Sequence, residues 1–301
     1  MLIAAIILIA LGVLVSLVWQ LPEPGLMRQT RNGSQLPPGV PDGIPQAVED
    51  DALATAEALH RRNRTKRLRL ASDMAATYRA VRDTDVLVLF NSGGYGWTGL
   101  DKASGYATIV DKVEATLRAR GCRVVVLSYQ RAYRSVRGYV SEILNAGAKS
   151  TTKPKELAVR LRFLWRHLPQ LRVLMASESN GTVMSNQVMR LLPDENRLFS
   201  IEFGPPFWYD NVTGERVLNM RSNGKVPDAF SYGHWRRAFK ANIDALRGKN
   251  PAAAGNVLFY VGAPGHDYNW HDYPAIRENV LSFLKKHFGC HSKLPAVPKK
   301  D

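Results

Sequence analysis

Residues 171–190 of the chain read LRVLMASESNGTVMSNQVMR. The apolar run Val173–Ala176 is typical of a short buried strand, and the apolar spacing after Gly181 predicts an amphipathic helix. Between them, Ser179 is flanked at two positions on either side by the small residues Ser177 and Gly181. A strand, a small-x-Ser-x-Gly sequence and a helix are typical of a nucleophile elbow, a tight turn that exposes its serine. The same letters also fit an ordinary Ser/Asn/Gly turn between a strand and a helix, so both interpretations stay open from this stretch alone.

Buried strands alternate with helical segments through the central part of the chain. Apolar runs predict strands over 86–90, 122–128, 173–176 and 256–261, and a further strand is predicted over 199–203. Helices are predicted over 107–120, 155–168, 234–247 and 274–288. Such alternation implies a parallel sheet with helices on both faces. The sequence therefore predicts an α/β fold with a doubly wound, mainly parallel sheet, whose ligands bind at the carboxyl ends of the strands.

The composition is that of a folded protein with an unusually positive charge. Its 301 residues are 45% hydrophobic and 22% charged, and the formal net charge is +15. This charge suggests an anionic partner, but no nucleic-acid recognition motif accompanies it, so nucleic acid is not expected. Cys122 and Cys290 offer neither a disulfide framework nor metal-ligand spacing, and Cys122 is expected to be a small core residue. No nucleotide-binding motif or metal-ligand cluster stands in a suitable place, so no cofactor and no metal are expected.

The first 21 residues, MLIAAIILIALGVLVSLVWQL, carry no charged side chain. A helix of about 20 apolar residues spans the hydrocarbon core of a bilayer, so residues 1–21 predict a transmembrane anchor. A cleaved signal peptide would require a basic start and a small-x-small cleavage site, neither of which is clear. Arg28 and Arg31 follow the anchor closely, and the positive-inside rule then places the bulk of the protein on the cytoplasmic side.

Composition divides the chain into five parts: a transmembrane anchor (1–21), a Pro-rich linker (22–50), a basic helical segment (51–84), the α/β domain (85–289) and a basic tail (290–301). Within the helical segment, residues 61–69 carry six basic side chains. Beside an anchor, such a segment is suited to anionic lipid headgroups. It is equally compatible with the solvated face of a helix that packs on the domain.

The order of motifs resembles that of the α/β-hydrolase superfamily over roughly residues 85–288. A Gly-rich loop, Asn91–Trp97, follows the first strand, SESNG around Ser179 follows a later strand, and GAPGHDYNWHDYPAIRENVLSFLKKH begins at Gly262. The resemblance implies a serine hydrolase that cleaves an ester or thioester, with a lipid as one candidate substrate. The first elbow glycine is replaced by Ser177, and the first two family strands are not evident before residue 85, so a trimmed sheet is expected.

Three catalytic groups are implied by the resemblance, with Ser179 as the nucleophile. An alcohol needs a base to take its proton; His266 is the first choice and His271 the second, since both follow the last predicted strand. The base needs an acid that fixes its tautomer. For this acid we choose Asp210, with Asp228 and Asp267 as alternates.

The resemblance also implies an oxyanion hole made of two backbone N–H groups. One belongs to Asn180 and the other to Ser92 or Gly93 in the Gly-rich loop. The aromatic residues predicted to line a substrate pocket, or simply to cover the end of the sheet, are Tyr95, Trp97, Trp208 and Trp270. The second functional hypothesis is a catalytically inactive protein of the same fold that binds a ligand or partner at the membrane surface.

Overall fold

The structure, a computed structural model, describes most of the chain between residues 26 and 289. The described residues are 26–29, 43–94, 96–131, 152–234, 236–237, 240, 243–244, 247–249 and 264–289. The predicted anchor 1–21, the predicted strand 256–261 and the predicted tail 290–301 lie outside these ranges, as does part of the predicted helix 234–247.

Within these described ranges, six strands form one sheet in the order β1-β3-β2-β4-β5-β6. The strands are β1 (Leu26–Gln29), β2 (Val86–Asn91), β3 (Val124–Gln130), β4 (Arg172–Glu178), β5 (Leu198–Phe203) and β6 (Val217–Met220). The first strand runs antiparallel to β3, and the other neighbouring pairs are parallel. The prediction of a mainly parallel α/β sheet is confirmed.

Helices cover both faces of this sheet. They are α1 (Gln46–Leu59), α2 (Arg64–Val81), α3 (Ser104–Ala119), α4 (Thr152–His167), α5 (Asn180–Leu191) and α6 (Pro274–His287), with a short 3₁₀ turn at Leu100–Lys102. One apolar cluster joins the sheet to α1, α2, α4 and α5, and a second joins it to α3 and α6. The sheet is therefore doubly wound, as predicted.

Strand β2 shows why its sequence reads as a continuous apolar run. Leu87 and Leu89 belong to the cluster on the α1 side, whereas Val86, Val88 and Phe90 belong to the cluster on the α3 side. Side chains alternate between faces along a strand, so a strand buried on both faces needs an apolar residue at every position. Strands β2 to β6 are parallel to one another, so their carboxyl ends lie at the same edge of the sheet. The candidate site lies at this edge.

Two ordered elements fall inside the predicted linker 22–50. Strand β1 pairs with β3 through its backbone, and Thr77 Oγ1 donates a hydrogen bond to Met27 Sδ at 3.6 Å. Helix α1 begins at Gln46. A four-residue edge strand carries too few side chains for a periodic pattern, which is why the sequence predicted none. The basic helical segment is also divided, because Asn63 Oδ1 accepts the Lys66 N–H at 2.9 Å and caps a new helix, α2.

Two further predictions concern the burial of Cys122 and the transmembrane anchor. Cys122 is buried in the core, as expected, but it is disulfide-bonded, whereas the sequence spacing predicted no disulfide framework. Among the described residues, no helix is both long and apolar enough to cross a bilayer. The predicted anchor is not among those residues and stays a prediction.

Candidate active site

The turn between β4 and α5 holds Ser179 in a strained conformation. Its φ of 48° and ψ of −124° make it the one non-glycine residue with positive φ in the described part of the chain. Such a conformation is unfavourable by about 1–3 kcal/mol and persists only when the surrounding structure imposes it. The Ser179 N–H donates to Phe203 O at 2.8 Å, and the Thr182 N–H donates to Ser179 O at 3.0 Å. The turn therefore has the geometry of a nucleophile elbow.

The small residues on either side of Ser179 have distinct structural reasons. A Cβ at Gly181 would lie 2.2 Å from Asn91 O and 2.8 Å from Ser92 O, so α5 touches the backbone at the end of β2. On the other side of the elbow, the hydroxyls of Ser177 and Ser185 are hydrogen-bonded to each other, and Asn91 Nδ2 donates to both. These contacts join the elbow to the start of the Gly-rich loop.

His266 and Asp228 form a hydrogen-bonded pair. His266 Nδ1 lies 2.7 Å from Asp228 Oδ2, and the Asp228 side chain is fully buried. The same carboxylate accepts the Phe230 N–H at 2.9 Å and the Tyr268 hydroxyl at 2.7 Å. Burial by itself raises the pKa of Asp228, but the hydrogen bond and charge of His266, with the other donors, outweigh it and hold the pKa below its usual value. Asp228 is therefore an ionised partner for the imidazole.

Gly204 brings this pair beside the elbow. It follows β5 with φ of +61°, and a Cβ there would lie 2.5 Å from His266 Cε1 and 2.9 Å from Asp228 Oδ2. The preceding residue, Phe203, accepts the Ser179 N–H. His266 and Ser179 thus both lie against the end of β5. The imidazole keeps 15% of its surface exposed, so it is reachable from solvent.

The other predicted acids and the second histidine lie elsewhere. Asp210, the first choice for the acid, is 96% exposed and pairs with Arg190. Asp267 accepts the Tyr273 hydroxyl at 2.8 Å, and His271 is exposed in the turn before α6. Of the three candidate carboxylates, the structure brings only Asp228 to His266. The preceding strand β6 explains this placement, because it returns the chain to the carboxyl edge of the sheet.

The predicted oxyanion donors lie next to Ser179. Asn180 is the first residue of α5, and the first N–H groups of a helix have no intrahelical acceptor. In the Gly-rich loop, a Cβ at Gly93 would lie 3.1 Å from Ser179 Cβ, so the loop directly contacts Ser179. The Gly93 N–H donates to Glu178 Oε1 at 2.9 Å. Ser92, the alternative donor, is also buried.

Arg131 supports the Gly-rich loop, a role that the sequence did not predict. Its N–H donates to Gly96 O at 2.8 Å, and its Nη2 donates to Gly94 O at 3.2 Å. The side chain is buried, which is unusual for an arginine. One feature of the sequence could have indicated this role. Arg131 directly follows β3, which lies beside β2 in the sheet, and the Gly-rich loop follows β2.

The predicted substrate-binding aromatics are divided between the site and the core. Trp208 is 52% exposed, and its ring lies 5.0 Å from that of Phe230, which lies 4.9 Å from the His266 ring. Trp97 is partly buried at the end of the Gly-rich loop. Trp270 instead packs against the cluster on the α3 and α6 face. Tyr95 lies outside the described residues.

The arrangement offers a serine hydroxyl on a strained turn, an imidazole backed by a buried carboxylate, and backbone N–H groups beside them. These are the parts that nucleophilic acyl transfer requires. Within the described ranges, no group of three or more His, Cys, Asp or Glu side chains is placed to hold a metal ion.

Comparison with known proteins gives little at the level of sequence. No family model matches the chain, and no curated protein is similar to it in sequence. Among solved structures, it resembles a Trichoderma reesei cutinase in complex with a C11Y4 phosphonate inhibitor, with 12% identity and a TM-score of 0.32, over 64% of this chain and 87% of the cutinase. It also resembles a hydrolase from Oleispira antarctica, with 12% identity and a TM-score of 0.26, over 66% of this chain and 60% of that one.

These similarities are too weak to carry an inference about activity. The α/β-hydrolase-like fold, with a trimmed sheet, therefore rests on this chain's own strand order and on the loops that follow its strands. The Gly-rich loop follows β2, the elbow follows β4, and the His266 turn precedes α6. That is the order implied by the sequence.

Proposed function

We propose that the protein is a serine hydrolase that cleaves an ester or thioester through an acyl-enzyme intermediate. One observation carries the proposal: the His266–Asp228 pair lies against Gly204, and the preceding residue, Phe203, accepts the N–H of Ser179 in its strained turn. Asp228 replaces Asp210 as the proposed acid. His266 remains the proposed base and Ser179 the proposed nucleophile.

In the first half of the reaction, Ser179 Oγ attacks the acyl carbon while His266 Nε2 takes its proton. Asp228 keeps the proton of His266 on Nδ1, which leaves Nε2 free as an acceptor, and stabilises the imidazolium that forms. The carbonyl oxygen becomes negative and accepts the N–H groups of Asn180 and of the Gly-rich loop, each worth about 3 kcal/mol in comparable sites. Collapse of this intermediate transfers the proton from His266 to the leaving alcohol or thiol.

In the second half, water replaces the leaving group. His266 takes a proton from this water, which attacks the acyl carbon, and the same two donors hold the oxyanion again. Ser179 then leaves with a proton from His266, and the carboxylic acid is released. No cofactor or metal enters this scheme.

An apolar or aromatic acyl group suits the surroundings of His266. Trp208 and Phe207 are each 52% exposed, and their rings contact each other at 5.1 Å. Such exposed aromatic surface at the carboxyl edge of the sheet is typical of a site that binds an apolar group. A lipid ester or thioester is therefore the substrate class that we propose.

The test is covalent labelling with a fluorophosphonate, which forms a stable adduct with activated serines. Wild type is expected to react, and Ser179→Ala is expected to lose at least about 10³-fold in labelling rate, because the nucleophile is gone. Ser72→Ala, which changes an exposed serine of α2, should label like wild type. Equal labelling of wild type and Ser179→Ala would exclude Ser179 as the nucleophile.

A second function, binding without catalysis, has one observation in its favour. The Gly93 N–H, a proposed oxyanion donor, is already bonded to Glu178. If that bond were permanent, the fold would hold a ligand but stabilise no oxyanion. Absence of Ser179-dependent labelling in every variant with a substituted Glu178 would favour this function.

We also propose that the protein is attached to a membrane through residues 1–21, with the basic segment on anionic headgroups. Arg61, Arg62 and Arg64 are exposed at the junction of α1 and α2, and Leu68 beside them is 49% exposed. Basic side chains around an exposed leucine suit an anionic bilayer surface.

High-salt washing of membranes tests this attachment. The full-length protein should stay bound, because an apolar anchor is insensitive to salt, whereas a protein lacking residues 1–21 should be released, because salt screens the basic segment. Retention of the truncated protein at high salt would show that the anchor is not the main attachment.

Two features favour opposite sides of that membrane. Arg28 and Arg31 favour the cytoplasmic side, whereas disulfide-bonded Cys122 favours an oxidising compartment. Protease treatment of intact cells distinguishes them. Digestion of the domain before lysis places it outside the cytoplasm, and protection until lysis places it inside.

A further inference from the structure

Glu178 holds a backbone group that catalysis would need. It is the last residue of β4 and directly precedes Ser179. Its Oε1 accepts the Gly93 N–H at 2.9 Å, and the same oxygen lies 3.2 Å from where a Cβ of Gly93 would be. Glu178 Oε1 therefore contacts the Gly-rich loop at Gly93, where the loop also contacts Ser179.

The Gly93 N–H cannot form a full hydrogen bond to the Glu178 carboxylate and to a substrate oxygen at the same time. An oxyanion hole works because its N–H groups point at the position where the substrate oxygen becomes negative. A carboxylate oxygen is an anionic acceptor of the same kind, and hydrogen bonds to charged acceptors are about twice as strong as neutral ones. While Glu178 accepts the Gly93 N–H, it competes with the oxyanion for that group.

The loop does not need Glu178 to keep its place. Arg131 binds it through Gly96 O and Gly94 O, and Asn180 Nδ2 donates to Gly94 O at 3.4 Å. The close approach of Gly181 to Asn91 O and Ser92 O fixes its start. With these supports independent of Glu178, removal of its carboxylate frees a donor without releasing the loop.

We propose that Glu178 is an autoinhibitory gate on the oxyanion hole, which is closed when its carboxylate accepts the Gly93 N–H and open when it gives that group up. This inference rests on the proposed serine hydrolase function. The gate adds regulation by Glu178 to the same site, which the catalytic steps proposed above do not include.

The groups facing Glu178 come from three other parts of the fold. His266 before α6 and Arg131 after β3 interact electrostatically with Glu178, and so does the hydroxyl of Tyr106 on α3. Asp228 lies behind His266. Removal from water raises the pKa of Glu178 to about 7; the Gly93 N–H, His266 and Arg131 lower it but do not outweigh burial. The gate therefore changes charge near neutral pH.

The direction of the pH effect follows from the charge of the carboxylate. Below pH 7, Glu178 is increasingly protonated, accepts the Gly93 N–H more weakly and opens the gate. Above pH 7 it is ionised and closes it. Inhibition by Glu178 should therefore grow with rising pH, which opposes the gain from deprotonation of the catalytic base.

The test is the rate of fluorophosphonate labelling from pH 5.5 to 8.5 in wild type, Glu178→Gln and Glu178→Leu. Gln keeps the shape but removes the charge, and Leu removes the acceptor. At pH 8.5 we expect Leu to react fastest, Gln second and wild type slowest, with Leu roughly tenfold or more above wild type. At pH 5.5 the wild-type rate should approach that of Glu178→Gln, because a protonated carboxyl and an amide are both neutral acceptors for the Gly93 N–H. Glu178→Gln decides the result if the Leu variant is misfolded by circular dichroism.

The matched control is Glu202→Gln. Glu202 is a buried carboxylate whose pKa burial raises to about 8, and burial also raises the pKa of Glu178, which is partly exposed. Glu202, however, is bonded to Ser200 and Asn186 on the α5 face. Neutralising it should leave the labelling profile unchanged. If wild type is labelled at Ser179 but Glu178→Gln is labelled no faster at pH 8.5, the proposed gate is wrong and the proposed hydrolase function is retained. If neither wild type nor any Glu178 variant labels at Ser179, the hydrolase and its gate are both wrong.

Discussion

Replacing Asp228 by asparagine is expected to lower the kcat/KM of ester hydrolysis about 10⁴-fold, the scale seen when a triad acid loses its charge. The backbone N–H groups of Phe230 and Ser231 bind Oδ1 at 2.9 and 3.3 Å, so the oxygen of the new amide stays there. Its NH₂ group then faces His266 Nδ1. A donor at that position forces the imidazole proton onto Nε2, and the base can no longer accept the proton of Ser179.

The matched control is Asp210→Asn. Asp210 was the acid preferred from the sequence, but it is 96% exposed and pairs with Arg190 on the surface. Its replacement should change kcat/KM less than about twofold, since exposed ion pairs contribute little. The two variants should be compared at equal folded fraction, checked by thermal unfolding. Loss of activity in Asp210→Asn with retention in Asp228→Asn would reverse the proposed acid.

Replacing Gly181 by alanine is expected to lower the free energy of unfolding by about 3 kcal/mol, the upper end of the usual range for overpacking. The new Cβ would lie 2.2 Å from Asn91 O and 2.8 Å from Ser92 O, both of which are backbone atoms. Overpacking against backbone forces whole segments apart. Helix propensity acts in the opposite direction, since alanine within a helix is favoured over glycine by up to about 1 kcal/mol. The clash is the larger effect, so the net change in the free energy of unfolding is a decrease.

Urea denaturation measures this change directly. Gly43→Ala serves as the control, because a Cβ there meets nothing within 4 Å, and its effect should stay within about 0.5 kcal/mol of zero. A Gly181→Ala protein as stable as wild type would mean that the end of β2 does not approach α5 as closely as described. The contact between the elbow and the Gly-rich loop would then have to be reconsidered.

The sheet and the elbow were predictable because their signals are local. A strand buried on both faces is apolar at most positions, and β2, β3 and β4 contain such runs. In β5, Phe199, Ile201 and Phe203 alternate with the buried polar residues Ser200 and Glu202. The elbow combines one of these runs with two small residues and a helical pattern. Strand β1 was missed because its four residues are held by backbone pairing with β3, which leaves no side-chain pattern to recognise.

The acid and the gate were less predictable because they depend on how loops return to the sheet. Asp210, Asp228 and Asp267 all follow the elbow in sequence, and only the path of the chain after β6 brings Asp228 to His266. Glu178 occupies the variable position of the elbow, where sequence gives no reason to expect a particular side chain. Its contact with Gly93 arises from the packing of two loops that are 85 residues apart.

The central claim is that Ser179 is an activated nucleophile, and peptide mass mapping after fluorophosphonate treatment tests it most directly. The prediction is one phosphonyl adduct, located on Ser179 and absent from Ser179→Ala and His266→Ala. A protein that acquires no adduct under conditions that fully modify a control serine hydrolase would contradict the claim. So would an adduct on another residue that persists in Ser179→Ala.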